Sequence, residues 1–156
     1  MKLHIMWEKP VLLRSGLKDG LIYNVDYDSF DRVPGVYIFA RKYGKSYEAL
    51  YVGQSKNIRS RIKSHLNNLK LMRHIEEAKS GKRFVIVGYA SPRPGQKVEK
   101  VIKLLERGLI RHFLSEGHDL VNQQGVRIRR HSIESAGGVP KAFIPSTMFL
   151  EMKRGD

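Results

Sequence analysis

The stretch Gly53-Gln54-Ser55-Lys56-Asn57-Ile58-Arg59-Ser60-Arg61-Ile62-Lys63-Ser64-His65 decides how this chain is read. Ahead of it, residues 49–52 (Ala-Leu-Tyr-Val) form a short apolar run that reads as a strand, closed by Gly53. Behind it, Ile58, Ile62, Leu66 and Leu69 recur at helical spacing, which predicts a helix over 58–70 or somewhat beyond. Asn57 is suited to cap its N-terminus, because a short side-chain carbonyl can take up an amide that the first turn leaves unpaired. Residues 71–79 either extend this helix or start another. Arg61 and His65 are four apart, so they share a face beside the apolar stripe, and a cation and a titratable imidazole flank one cleft.

Working outward, residues 33–41 read as a strand with Val36, Ile38 and Ala40 on one face and Tyr37 and Phe39 on the other. Residues 41–48 read as a polar hairpin loop. Gly44-Lys45-Ser46 within it is no phosphate loop, because the position five before Gly44 is Phe39, not glycine. Phe84-Val85-Ile86-Val87-Gly88-Tyr89 is the clearest strand; a nearly unbroken apolar run predicts a central strand covered on both faces. A second helix is expected over 96–115, with Val98, Val101, Ile102, Leu105, Leu109 and Phe113 as its buried stripe. Toward the start, Leu3, Ile5 and Trp7 alternate with polar residues as in a strand, and Asp19-Gly20 marks a turn. Tyr23, Tyr27 and Phe30 could stack on bases, but aromatic area goes first to packing. Toward the end, 126–131 reads as a strand dense in arginine. The order β-β-α-β-α, with an antiparallel hairpin leading, gives an α+β fold: a small domain with a central antiparallel sheet flanked by helices.

The 156 residues fit one domain with a real core. Twenty-nine Lys and Arg against 15 Asp and Glu leave a net charge of +14, which favours a polyanionic partner, nucleic acid before an anionic membrane. With no cysteine there is neither a disulfide framework nor a thiolate metal site. The opening residues carry no signal-peptide core, and charge interrupts every apolar run short of a membrane span, so a cytoplasmic protein without membrane association is expected. The six histidines show no zinc-type His-x-x-x-His spacing, and no serine occupies a nucleophile elbow.

Several residues could carry chemistry. Glu106 has Ile102, Leu109 and Ile110 at helical spacing, so its carboxylate is partly desolvated and needs compensation: a salt bridge to Arg61 or a lysine, or a bound cation. Magnesium suits a lone carboxylate, because it keeps several waters and accepts phosphate oxygens. Arg61, in a sheltered place beside the apolar seam, could grip two phosphate oxygens with its planar fork, Arg59 being the alternative. His65 could be a general base or a phosphate contact. Tyr37 and Tyr51 could be core aromatics, or phenols acidified by neighbouring cations and used as bases. Lys56, Arg59 and Lys63, with Lys70, lie on the outer side of the first helix, and with Arg127, Arg129 and Arg130 they are the expected nucleic-acid contacts.

Taken together, Gly35-Val36-Tyr37, Tyr51-Val52-Gly53, Asn57-Ile58 with Arg61, Leu105-Glu106-Arg107-Gly108-Leu109-Ile110 and Asn122 resemble, in order and spacing, the motifs of the GIY-YIG nuclease family. Both triplets carry Val where Ile is commonest. The resemblance spans roughly 33–123, and implies a nuclease core over 33–123, an N-terminal extension packed on it (1–32) and a basic C-terminal extension (124–156). It further implies a DNA endonuclease, RNA remaining open, that uses Mg²⁺ (or Mn²⁺) held by Glu106. By the same resemblance Tyr37 activates the nucleophile, with or without His65, and Tyr51 orients water or phosphate. Asn122 would position the glutamate helix or a phosphate, and Gly35 and Gly53 allow close packing. The alternatives are a nucleic-acid-binding module of the same fold without turnover, and a basic domain that binds an acidic protein.

Overall fold

The computed structural model describes residues 2–78, 80–121, 128–138, 140 and 142–153. Its strands are β1 (Ile5–Trp7), β2 (Val11–Leu12), β3 (Arg14–Ser15), β4 (Tyr23–Asn24), β5 (Gly35–Tyr43) and β6 (Ser46–Ser55), followed by helices α1 (Ile58–Leu66) and α2 (Leu69–Glu77). Strand β7 (Lys82–Ala90), helix α3 (Val98–Ser115) and strands β8 (Ile128–Glu134) and β9 (Thr147–Lys153) complete the order. The fold is α+β, built on an antiparallel sheet in the order β1-β7-β5-β6, with β2 also pairing with β7.

Alternation along β5 divides the core in two. Tyr37 and Phe39 face a layer made by α1, α2 and the N-terminal segment, packing with Ile58, Ile62, Leu66, Met72 and Ile75. Ile38 and Ala40 face α3, packing with Val52 and Ile110. Val85 and Val87 of β7 join the first layer and Ile86 the second, so β7 is covered on both sides, as its unbroken apolar run required. Phe30 is fully buried and Tyr23 and Tyr27 pack against the same layer, so these aromatics serve the core.

Several boundaries differ from the sequence reading, each for a local reason. The expected loop over 41–48 contracts to a two-residue turn, Gly44-Lys45, with Gly44 at φ 58°. The flanking polar residues stay in the ladder because Arg41, opposite Glu48, forms an ion pair with it, and also donates to the Ser80 carbonyl at 2.7 Å. Strand β6 does not stop at Gly53 but runs to Ser55. The first helix ends at Leu66, because Asn68 starts a new one by accepting the Leu71 amide at 3.1 Å. Asn57 caps α1 as expected, accepting the Ser60 amide at 3.1 Å. Helix α3 starts two residues later than expected and buries Val101, Ile102 and Ile110, while Val98, Leu105, Leu109 and Phe113 are only half-buried. The strand read over 126–131 is described from Ile128 onward and continues to Glu134.

Candidate active site

The site forms where β5, β6 and α1 meet. On β5, Tyr37 stands opposite Gly53 of β6, and a Cβ added to Gly53 would come within 2.2 Å of the Tyr37 hydroxyl. The glycine therefore lets the phenol cross the neighbouring strand and reach α1. There its hydroxyl hydrogen-bonds His65 Nε2. Gly35 serves close approach in another way: a Cβ on it would lie 2.3 Å from the Gly88 carbonyl oxygen of β7.

Tyr51 reaches the same face through a break in the ladder. Pairing runs Phe39 with Tyr51 and then Ala40 with Ala49, so Leu50 is an extra residue, a β-bulge. Leu50 and Tyr51 consequently both join the layer under α1 instead of alternating. The ring of Tyr51 stacks on Tyr37, with centroids 6.3 Å apart and planes 19° from parallel, and meets His65 edge-on at 5.4 Å. The segment after α3 takes up groups at the bulge: His118 Nδ1 accepts the Ala49 amide at 2.8 Å, and the Val121 amide donates to the Leu50 carbonyl at 2.5 Å.

Burial dominates the electrostatics. It pushes the Tyr37 phenol well above its ordinary value, Tyr51 adds to this, and the Arg61 charge offsets only part. The sequence-based idea of a phenol acidified by cations is therefore corrected: desolvation of the phenolate outweighs the nearby guanidinium. Tyr51 is raised too, by burial and then by Glu106. His65 is lowered to about 4 by burial, with Arg61 as the second cause, so its imidazole is neutral at pH 7 and can accept the Tyr37 proton. Glu106 on α3 is raised by burial, against the pull of Arg61 and Lys103. Among the described residues nothing hydrogen-bonds or ion-pairs with Glu106, so the salt bridge weighed for it is not formed.

Arg61 is exposed rather than sheltered, and lines an open cleft of about 440 Å³ with Lys56, Lys103 and Ile102. Lys103, one turn before Glu106 on α3, is a neighbour the sequence reading missed. The i, i+3 spacing was visible, but a lysine on an exposed helical face carries no signal of its own. Arg59 turns away from the site: it donates to the Phe30 carbonyl at 2.6 Å and lies 3.8 Å from Asp28. Lys56 pairs with Glu99 at 2.6 Å, and Lys63 is exposed on α1. Arg129 and Arg130 lie on β8, away from the motif elements in sequence, while Asn122 and Arg127 fall outside the described residues.

Four of the five ordered motifs thus come together: Gly53 makes room for Tyr37, Tyr51 stacks on it, Arg61 follows on α1, and the charge of Glu106 acts on both phenols. The sequence model of the GIY-YIG catalytic domain matches residues 33–113, just over half of the chain. The chain belongs to the GIY-YIG family. No curated protein and no solved structure matches it. Membership in the GIY-YIG family supports nuclease activity in general and a nucleic-acid substrate. No helix among the described residues is long and apolar enough to cross a membrane.

Proposed function

We propose that this GIY-YIG domain is a magnesium-dependent endonuclease that hydrolyses phosphodiester bonds in DNA. The observation that carries the reading is the buried Tyr37 hydroxyl bonded to the neutral imidazole of His65, with Tyr51 stacked alongside. A water molecule attacking phosphorus gives its proton to the Tyr37 oxygen while Tyr37 passes its own proton to His65 Nε2. No standing phenolate is needed, which suits a phenol whose ionisation burial opposes. The phosphorus–oxygen bond to the leaving group breaks, and the leaving oxygen is protonated from solvent. Arg61, exposed in its cleft, neutralises the charge that builds on the phosphate oxygens.

Glu106 fits a metal ligand of the magnesium kind. It is a half-buried carboxylate without a bonded partner among the described residues, and no cluster of three acidic or imidazole side chains that could enclose a metal is found among them. Such a lone carboxylate leaves most of the coordination sphere to waters and phosphate oxygens. When bound, Mg²⁺ would supply charge stabilisation at the leaving oxygen.

Supercoiled plasmid tests the reading. Wild type should nick it in Mg²⁺ and not in chelator. Glu106→Gln should lose cleavage by at least about a hundredfold while keeping DNA affinity, the scale of a lost transition-state contact. Its melting temperature should hold or rise, because a carboxylate whose ionisation burial opposes loses its charge. Equal cutting in chelator would remove the metal. DNA binding without cutting under any condition would favour the binding-module alternative. Early unfolding of Glu106→Gln with normal nicking in the cold would remove Glu106 as a ligand.

A further inference from the structure

Helix α2 turns a basic face toward the reacting groups. A cavity of about 340 Å³ opens with Tyr51 and His65 on one side and Asn68, Lys70, Leu71 and His74 on the other. Lys70 and His74 also line a second hollow, of about 330 Å³, that continues along α2 to Arg73. Lys70 and His74 line both, so the two hollows are neighbours along α2 and together make up a track that starts at Tyr51 and His65. Lys70 and His74 are four apart and so project from the same helical face. Lys70, Arg73 and His74 are exposed, and among the described residues none of their side chains is hydrogen-bonded or ion-paired. Three donors are therefore free for an outside ligand. The Asn68 side-chain carbonyl is occupied by the Leu71 amide, which leaves its NH₂ as a fourth donor.

Apolar side chains line both hollows as well, Leu71 and Val121 the first and the half-exposed Leu69 the second. One carboxylate, Glu77, lines its far end. Cationic and amide donors beside apolar side chains match a polyanion with flat hydrophobic units, which is the chemistry of a nucleic-acid strand. Each hollow is of a size for one nucleotide, not for a duplex.

We propose that this track binds the strand adjoining the scissile phosphate, Lys70, Arg73 and His74 holding its neighbouring phosphates and Leu69 and Leu71 meeting its sugars and bases. The inference rests on the endonuclease reading for its orientation. Its binding arm does not require turnover.

The test compares Lys70→Ala/His74→Ala with a control, Lys9→Ala/Lys18→Ala, which removes two exposed lysines of the N-terminal segment. Alanine at exposed helical positions keeps α2 folded. Affinity for a fluorescent oligonucleotide is measured in chelator across a salt series, and steady-state nicking in Mg²⁺. The α2 variant should bind at least about fivefold more weakly than the control. Its salt slope should fall by between about one and about two, the share of one or two phosphate contacts. In cleavage it should raise KM and leave kcat within about twofold, as expected for a contact made equally in ground and transition states. Affinity and slope equal to the control would overturn the track, as would a fall in kcat at constant KM. A wild-type protein that binds in this pattern but never cuts would overturn the endonuclease reading and leave the track standing.

Discussion

His65 shows how one residue's surroundings set both chemistry and stability. Its ordinary value is 6.5, and in the folded chain it lies near 4. Between those values the unfolded chain binds the proton and the folded one does not, so stability rises with pH across this window. Stability is thus full above about 6.5 and is lost progressively as pH falls toward 4. His65→Gln removes that contribution. Melting temperature plotted against pH should therefore be flatter for the variant than for wild type between about 4 and 6.5, and parallel to it above. Tyr37 and Tyr51 do not interfere, since burial moves both away from this range, and Glu106 titrates in both proteins. Parallel curves throughout would mean that His65 keeps its ordinary affinity for protons. At this scale much of the candidate site was legible: Tyr37, Tyr51, Arg61 and Glu106 each stand in a motif of fixed spacing, and His65 was read from its place four residues after Arg61. Lys103 and His74 were not, because a basic residue on an outward helical face looks the same whether it lines a cleft or meets only solvent, and Lys70, read as a basic contact on the first helix, lies instead on α2. The fate of Arg59 was equally hidden, since the Phe30 carbonyl that engages it comes from 29 residues away.

The elements place these residues through two devices that leave faint traces in sequence. One is the bulge at Leu50, a single inserted residue that puts Tyr51 on the face of Tyr37 and is tied to the segment after α3. Alternation along 49–52 could not reveal it, because a bulge breaks the very period from which strands are read. The other is Arg83, at the start of the apolar run of β7. Its buried guanidinium donates to the carbonyls of Ile75 at 2.9 Å, Glu76 at 3.1 Å and Ala78 at 2.5 Å, and also to that of Gly81. It thereby closes the C-terminal end of α2, where helical carbonyls have no partners of their own and a cation suits the dipole. Helix α2 in turn carries Lys70 and His74 and buries Met72 and Ile75. Arg83→Leu should cost roughly 3 kcal/mol or more, since several carbonyls lose their donor at once. Urea unfolding measures it, with an unchanged slope against denaturant showing that the transition remains the same. A loss below about 1 kcal/mol would mean that water replaces the guanidinium without penalty.

For the molecule as a whole, the net charge of +14 is the quantity that acts at a distance. Part of its acidic complement is already engaged internally: Glu48 by Arg41, Glu99 by Lys56 and Asp28 beside Arg59. These pairs are local and add little to the far field, while Lys63 on α1 and Lys70 and Arg73 on α2 stay exposed on the helices that border the Tyr37–His65 pair, and Lys103 stays exposed on α3 beside the Arg61 cleft. These four cations would add to the attraction of a phosphate backbone toward the candidate site, alongside exposed basic residues elsewhere on the chain such as Lys9, Lys18, Arg93 and Arg111. Each phosphate neutralised releases about 0.9 of a counterion, so four contacts make affinity fall about a hundredfold between roughly 50 and 200 mM salt. Wild-type protein titrated with a non-specific duplex in chelator should show a fall of that order, linear on logarithmic axes. Because the contacts are to the backbone, the slope should be the same for duplexes of unrelated sequence. An affinity that stays flat over this range would mean that the charge is solvated surface and that recognition rests on something other than phosphate.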